Sequence, residues 1–151
     1  MTNLTSMRGP GDITFETQTA DLTCTNALSK GDIVLLNLAS GGYTSCTKSL
    51  AANKLPPLLI GVALEDVAAG AIGHIGLKGV FNCNCAANMD AGASGQVGTV
   101  TGQLTAMSGN PSADGDAYLK MVAIPLANTT TAGDLTSCLF DGINGFAAQN
   151  N

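Results

Sequence analysis

Charge is scarce in this chain. Only 11% of its 151 residues are Asp, Glu, Lys or Arg, against about a quarter in ordinary soluble domains. Low charge together with 45% apolar residues excludes intrinsic disorder, which goes with the opposite balance. A surface so poor in charge is either polar and uncharged or buried against other subunits. Basic residues are the scarcest of all: Arg8, Lys30, Lys48, Lys54, Lys78 and Lys120 are scattered, and the net charge is −5. Phosphate binding relies on clustered Lys and Arg, so no nucleic-acid partner is expected. Long apolar runs are missing too. The longest, Leu55 to Leu64, is broken by Pro56, Pro57 and Gly61 and falls well short of the ~18 residues of a membrane span. No membrane partner is expected. The first residues, MTNLTSMRGPGD, lack the apolar stretch of a signal peptide, so synthesis in a cytoplasm is the expectation.

The usual catalytic constellations are also missing. His74 is the single histidine, and a lone histidine in a Gly-rich strand reads as a surface or satisfied residue. No Gly-x-Ser-x-Gly elbow accompanies it, and no Gly-rich phosphate loop with Lys-Ser/Thr is present. Glu65-Asp66 would suit paired-carboxylate acid/base work, but adjacent acids in a polar turn read as solvent-facing hairpin caps. Asp114-Gly115-Asp116 resembles part of a calcium loop, yet the position that should carry the closing Glu is Pro125. Five cysteines, Cys24, Cys46, Cys83, Cys85 and Cys138, are an odd number without the Cys-x2-Cys knuckles of a zinc site. They read as reduced, small, buried residues. Cys83 and Cys85 would share one face of a strand, too far apart for an easy disulfide. No catalytic, cofactor or metal residue is therefore assigned, and no cofactor is expected.

What is present is small, apolar and repetitive. Leu59 to Phe81, LIGVALEDVAAGAIGHIGLKGVF, reads as a strand, a Gly-closed turn and a second strand. Val62-Ala63-Leu64 has a counterpart in Val122-Ala123-Ile124, an offset of 60 (122 − 62). Gly70, Ile72, Ile75, Leu77 and Gly79 match Gly133, Leu135, Cys138, Phe140 and Gly142, an offset of 63 (133 − 70), which makes the second turn three residues longer. Gly73, Gly76 and Gly79 recur inside the second strand and mark a barrel bend or a close approach of backbones. Further strands are expected over Ile33 to Leu38, Tyr43 to Lys48, Val97 to Leu104, Ala117 to Leu126 and Leu135 to Phe140. Ser108 to Asp116 is a loop, and Pro125 implies an edge or a bulge. Many short strands with no helical period make a small barrel or sandwich. The expected organisation is an extended arm over residues 1–20, one β-rich domain over 21–146 and a tail over 147–151. The arm is rich in Thr and partly alternating at Ile13 and Phe15, so it suits strand addition to its own domain or to a neighbouring molecule, the alternative being a floppy tail.

The chain resembles the small capsid cement, or head decoration, proteins of tailed bacteriophages. The resemblance is carried by Lys30-Gly31-Asp32-Ile33-Val34, by Ile60-Gly61-Val62-Ala63-Leu64-Glu65-Asp66-Val67-Ala68-Ala69-Gly70 and by Gly79-Val80-Phe81. Gly115-Asp116 and the stretch from Val122 to Gly142 fit the second half, with the frequent cysteines, the longer turn and Pro125 as departures. It implies an all-β, compact β-barrel-like or β-tulip body with an extended N-terminal arm, assembled as a homotrimer. It also implies a place on the outer capsid surface at capsomer junctions, bridging the major capsid protein. Leu4, Arg8, Ile13 and Phe15 are the residues expected to contact the capsid or a sibling subunit. Two other readings compete. A ligand-binding or carrier β-barrel would need a Lys at a hairpin tip, which neither Lys54 nor Lys78 supplies. A minor tail or fibre protein is the other. Light scattering on the purified protein should find three times the 15.1 kDa chain mass, unchanged by reductant; a monomer would favour the ligand-binding barrel.

Overall fold

The computed structural model describes residues 17–39, 42–49, 59–98, 100–106, 121–143 and 145. Leu4, Arg8, Ile13 and Phe15, most of the expected arm, the loop over 108–116 and the tail lie outside the described residues. Among the described residues nine strands form one sheet: β1 (Gln18–Cys24), β2 (Ile33–Ala39), β3 (Gly42–Lys48), β4 (Ile60–Ala63), β5 (Ile72–Cys85), β6 (Gly95–Val97), β7 (Leu104–Ala106), β8 (Ala123–Pro125) and β9 (Asp134–Asp141). The order is β1-β3-β2-β4-β5-β7-β6-β8-β9, and two further pairings, β1–β5 and β5–β9, close it twice. The chain is thus all-β with a closed five-stranded barrel. The second closure makes a second ring of five strands, β5-β7-β6-β8-β9. Both rings contain β5, the longest strand at 14 residues.

Ring closure removes the exposed edges that short strands would otherwise leave. The interior of the first ring is small and apolar: Leu22, Cys24, Val34, Leu36, Cys46, Ala63 and Ile75, plugged by Leu28 and Val67. The interior of the second holds Phe81, Cys83, Cys85, Val97, Leu104, Ala123, Cys138 and Phe140, with Met89 among them. The same cluster takes in Ile33, Leu35, Ile60 and Val62, on the outer side of β2 and β4. That is why β2 and β4 read as continuous apolar runs: both of their faces are covered. Phe81 and Phe140 meet edge to face with centroids 6.2 Å apart. Phe81 also lies over Gly76, where an added Cβ would come within 2.7 Å of its ring. Gly76 is therefore the point at which the second ring folds down onto the first, and the β1–β5 register breaks beside it.

The two rings are copies, and far more of the chain is duplicated than the sequence suggests. Gly31 N donates to Ala63 O, and Gly92 N donates to Pro125 O. Gly70 N donates to Cys24 O, and Gly133 N to Cys85 O. Lys30 N donates to the Asp66 carboxylate and Ala91 N to the Asn128 amide oxygen, each over 2.7 Å. Leu64 N donates to His74 O and Leu126 N to Ser137 O. These pairs give offsets of 61 (92 − 31) for the first turn, 62 (125 − 63) for β4 onto β8, and 63 (133 − 70) for β5 onto β9. The repeat therefore begins at β1, and the C-terminal half of β5 plays β1's part in the second ring.

Several expectations are corrected. Ala63 corresponds to Pro125, so the second turn is longer by one residue and the β4–β8 match moves by two. A two-residue slip keeps every side chain on its face, so a pattern of small apolar residues could not reveal it. The strand expected over Val97 to Leu104 is two strands, β6 and β7, with a turn between them. Gly98 N bonds Gln103 O to close that turn. β5 runs on to Cys85, four residues beyond Phe81, and β1 begins at Gln18, inside the stretch read as arm. Pro125 pairs with Cys138 in β8. Ala63 N donates to Asp32 O in the first ring, and Pro125, which has no N–H, cannot make the equivalent bond in the second.

One buried charge ties the rings together. Asp32 is almost fully buried and faces Lys48 Nζ at 2.8 Å. It also accepts from Ser29 N in its own turn and from the Asn84 side chain in the second ring. Phe140 is the largest fully buried side chain, and removing it leaves a cavity where the rings meet. Phe140→Ala should cost about 3–5 kcal/mol, read as a fall in the urea midpoint at unchanged m-value. Ser137→Ala on the outer face of the same strand should cost well under 1 kcal/mol.

Candidate interaction surface

The outer face of the second ring groups three of the large apolar side chains that stand exposed among the described residues. Across β5, β9 and β8 the register sets Val80 beside Leu139 and Leu139 beside Ile124. The next row outward is Asn82, Ser137 and Leu126, and the one after it pairs Asn84 with Leu135. Val80, Leu126 and Leu135 are each about half exposed, at 50, 54 and 49%. Five apolar side chains thus surround one polar rung, in which Ser137 Oγ donates to Asn82 Oδ1 over 3.0 Å. None of the eight is charged. Leu135 leans across the Gly31 turn, where an added Cβ would strike its Cδ2 atom. A contiguous face of this kind marks a contact surface more often than a free one.

In the first ring part of the equivalent face is covered, although Ile72, at the position of Leu135, stays 71% exposed. Val62 and Gly76 stand where Ile124 and Leu139 stand in the second ring, and both are buried under Phe81. The polar rung is repeated as well. His74 Nδ1 lies 2.7 Å from Asp21 Oδ1, at the position of Ser137 and Asn82. The His–Asp pair is therefore one rung of a duplicated ladder, and both partners are exposed. Glu65 and Asp66 also separate in role: Glu65 accepts from His74 N, and Asp66 accepts from Lys30 N of the neighbouring turn.

The five cysteines all point inward as free thiols. In the first ring Cys46 Sγ donates to Cys24 Sγ across 3.8 Å. In the second, Cys85 and Cys138 sulfurs stand 3.8 Å apart, with Cys83 on the same strand face. Burial and the neighbouring Cys24 push the Cys46 thiol up to about 12. Hydrogen bonding to Cys138 and burial push Cys85 up, and hydrogen bonding to Cys83 pushes Cys138 up. These sulfurs are held as neutral small hydrophobes. Among the described residues no group of three His, Cys, Asp or Glu side chains is placed to hold a metal ion, and no helix is long and apolar enough to cross a membrane. The apolar face leaves little trace in the sequence. Its only signal was the alternation of Val80, Asn82 and Asn84, which appears once β5 is known to run to Cys85.

Comparison with protein-family models gives no match, and no curated protein matches the chain. Among solved structures the fold is similar to the N base of head fiber gp8.5 in bacteriophage phi29, with a TM-score of 0.55. The similarity covers 88% of this chain and 100% of that one, at 12% identity. At that identity the likeness is one of fold.

A thiol raised from its ordinary 9.0 to about 12 supports the fold only while it is protonated. That support is complete below pH 9 and is lost as pH rises through the folded value. The urea midpoint should therefore be insensitive to these thiols up to about pH 9 and then decline. Unfolding followed by circular dichroism across that range checks it, and Cys46→Ala should flatten the decline.

Proposed function

We propose that this chain is a non-catalytic structural protein of a bacteriophage virion that binds the outside of the assembled head at capsomer junctions and holds the shell against the pressure of packaged DNA. The observation that carries the reading is the double-ring fold, which resembles the phage head fiber base over that protein's whole length. The proposed partners are the major capsid protein and further copies of the chain, as a homotrimer. The means is mechanical. A protein that binds the assembled lattice and not its separated subunits lowers the free energy of the lattice by ordinary linkage, and several weak contacts on one oligomer add through avidity. The uncharged outer face of the second ring, with Val80, Leu126 and Leu135, supplies surface for such contacts, and Leu4, Arg8, Ile13 and Phe15 would supply the rest from the arm.

A second reading is favoured by the same similarity: the two rings would be the base on which a head fibre stands. Both readings put the chain on the virion surface, and they differ in whether its absence weakens the shell. Heads assembled without this chain and then incubated with it should bind it at fixed stoichiometry and resist heat or low ionic strength better. Deleting residues 1–16 should abolish binding while the circular dichroism of the body persists. Val80→Asp with Leu126→Asp should weaken binding at least tenfold. Occupancy without added resistance would select the fibre base, and unchanged occupancy after the deletion would remove the arm from the contact.

A further inference from the structure

We propose that Cys24 and Cys46 form an intrachain disulfide that staples the first ring shut, while Cys83, Cys85 and Cys138 stay as thiols. All five sulfurs are buried and two pairs approach to the same 3.8 Å, so sulfur distance alone does not separate them. The backbone does. Cys24 and Cys46 are direct partners across the parallel β1–β3 seam, and neighbouring strands lie about 4.8 Å apart. A disulfide needs Cα atoms roughly 4.4–6.8 Å apart, so this pair closes with side-chain rotation alone. In the second ring Cys85 stands opposite Asp134, and Cys138 stands opposite Phe81. Four residues of strand separate their positions along the ladder, and their sulfurs meet only by reaching toward each other across the interior. Closing that pair would pull the backbones toward each other past the ~7 Å limit. Cys83 and Cys85 lie on one strand and point the same way, and Cys83 stands opposite Thr136, two residues from Cys138, a diagonal of about 7–8 Å that lies past the same limit.

The location gives the staple a purpose. β1 is held to β5 by six register pairs but to β3 by two. Among the described residues β1–β3 is the only parallel seam of the first ring, and parallel pairing is slightly weaker per residue. It is the seam by which β1, the strand that follows the N-terminal residues, closes the barrel. A bond there encloses β2 and the turn at Gly31, and it restricts the unfolded chain over that loop.

The chemistry balances with hydrogen peroxide as oxidant. A Cys24 or Cys46 thiolate attacks one peroxide oxygen, the O–O bond breaks, and the departing hydroxide takes a proton to become water. The sulfenic acid left behind is attacked by the second sulfur. That step forms the S–S bond and releases hydroxide, which takes the second thiol's proton. Two S–H bonds and one O–O bond are lost, and one S–S bond and two waters are gained. Burial of both sulfurs, with the Cys46 thiol held protonated to about pH 12, makes the first attack slow at neutral pH and faster in alkali. The pair therefore stays reduced in a reducing cytoplasm and closes under prolonged oxidation. Placing that oxidation outside the host cell rests on the virion reading, but the chemistry of the isolated protein does not.

The test uses the full chain, held folded at pH 8.5 with hydrogen peroxide and then quenched. Thiols counted in urea should fall from the five in the sequence to three. Non-reducing peptide maps should join the Cys24 and Cys46 peptides, and the urea midpoint should rise and return with dithiothreitol. The Cys24→Ala and Cys46→Ala chains should each keep all of their remaining thiols. The unmodified chain is decisive even where a variant does not fold. A bond from Cys138 to either Cys83 or Cys85, a disulfide between chains, or five surviving thiols would each overturn the proposal. Head binding by the reduced protein is measured separately, so failure here leaves the virion reading standing.

Discussion

The structure depends on a single strand serving two barrels. β5 pairs with β1 and β4 through its first half and with β9 through its second. Each ring closes only because the other half of β5 is long enough to continue. Such a strand has to bend without losing its ladders, and its sequence allows this. Gly73 lets Val67 and Cys24 approach, Gly76 lets Phe81 lie flat against the backbone, and Gly79 takes a φ of 141° that other residues rarely adopt. The three glycines cost strand propensity. What they return is contact between the second ring's interior and the outer side of the first, so that one apolar cluster spans both.

Duplication explains why the two halves look alike in backbone and different in side chain. Hydrogen bonds at the turns recur almost one for one, since each satisfies a buried backbone group that would otherwise be orphaned. Side chains at equivalent positions have been free to change wherever the environment differs. The His74–Asp21 rung became Ser137–Asn82. Val62 and Gly76, packed under Phe81, correspond to Ile124 and Leu139, which face outward. The second ring thus leaves open the part of the face that Phe81 covers in the first.

The same small apolar chemistry sets the limits of what the molecule can do by itself. The ring interiors are filled by side chains, and their thiols are held neutral. The exposed His–Asp pair belongs to a structural ladder. The rings differ inside as well as out, with Leu22 and Ile75 of the first interior replaced by Cys83 and Cys138 in the second. These features agree with the mechanical role proposed for the chain.

Much of the fold was legible in the residues themselves. The Gly-Asp turn before Ile33, the strand at Tyr43 to Lys48, the hairpin closed at Gly70 and its echo closed at Gly133 are local matters, decided by glycine, turn chemistry and runs of β-branched residues. So was the inward, unbridged placing of Cys83 and Cys85, which follows from the two-residue period of a strand. Tertiary structure decided what depends on distant partners. The continuation of β5 through Asn82 and Asn84 has no propensity to recommend it and exists because β9 pairs along its whole second half. The break between Val97 and Leu104 arises because the turn there docks on the first ring, where Ile33 N donates to Gly102 O. The two-residue slip between β4 and β8 was invisible because it leaves every side chain facing the same way. Which thiols lie opposite one another, and which apolar face is left uncovered, follow from ring closure. Closure is a property of pairings between residues far apart in the chain, and local sequence holds no record of it.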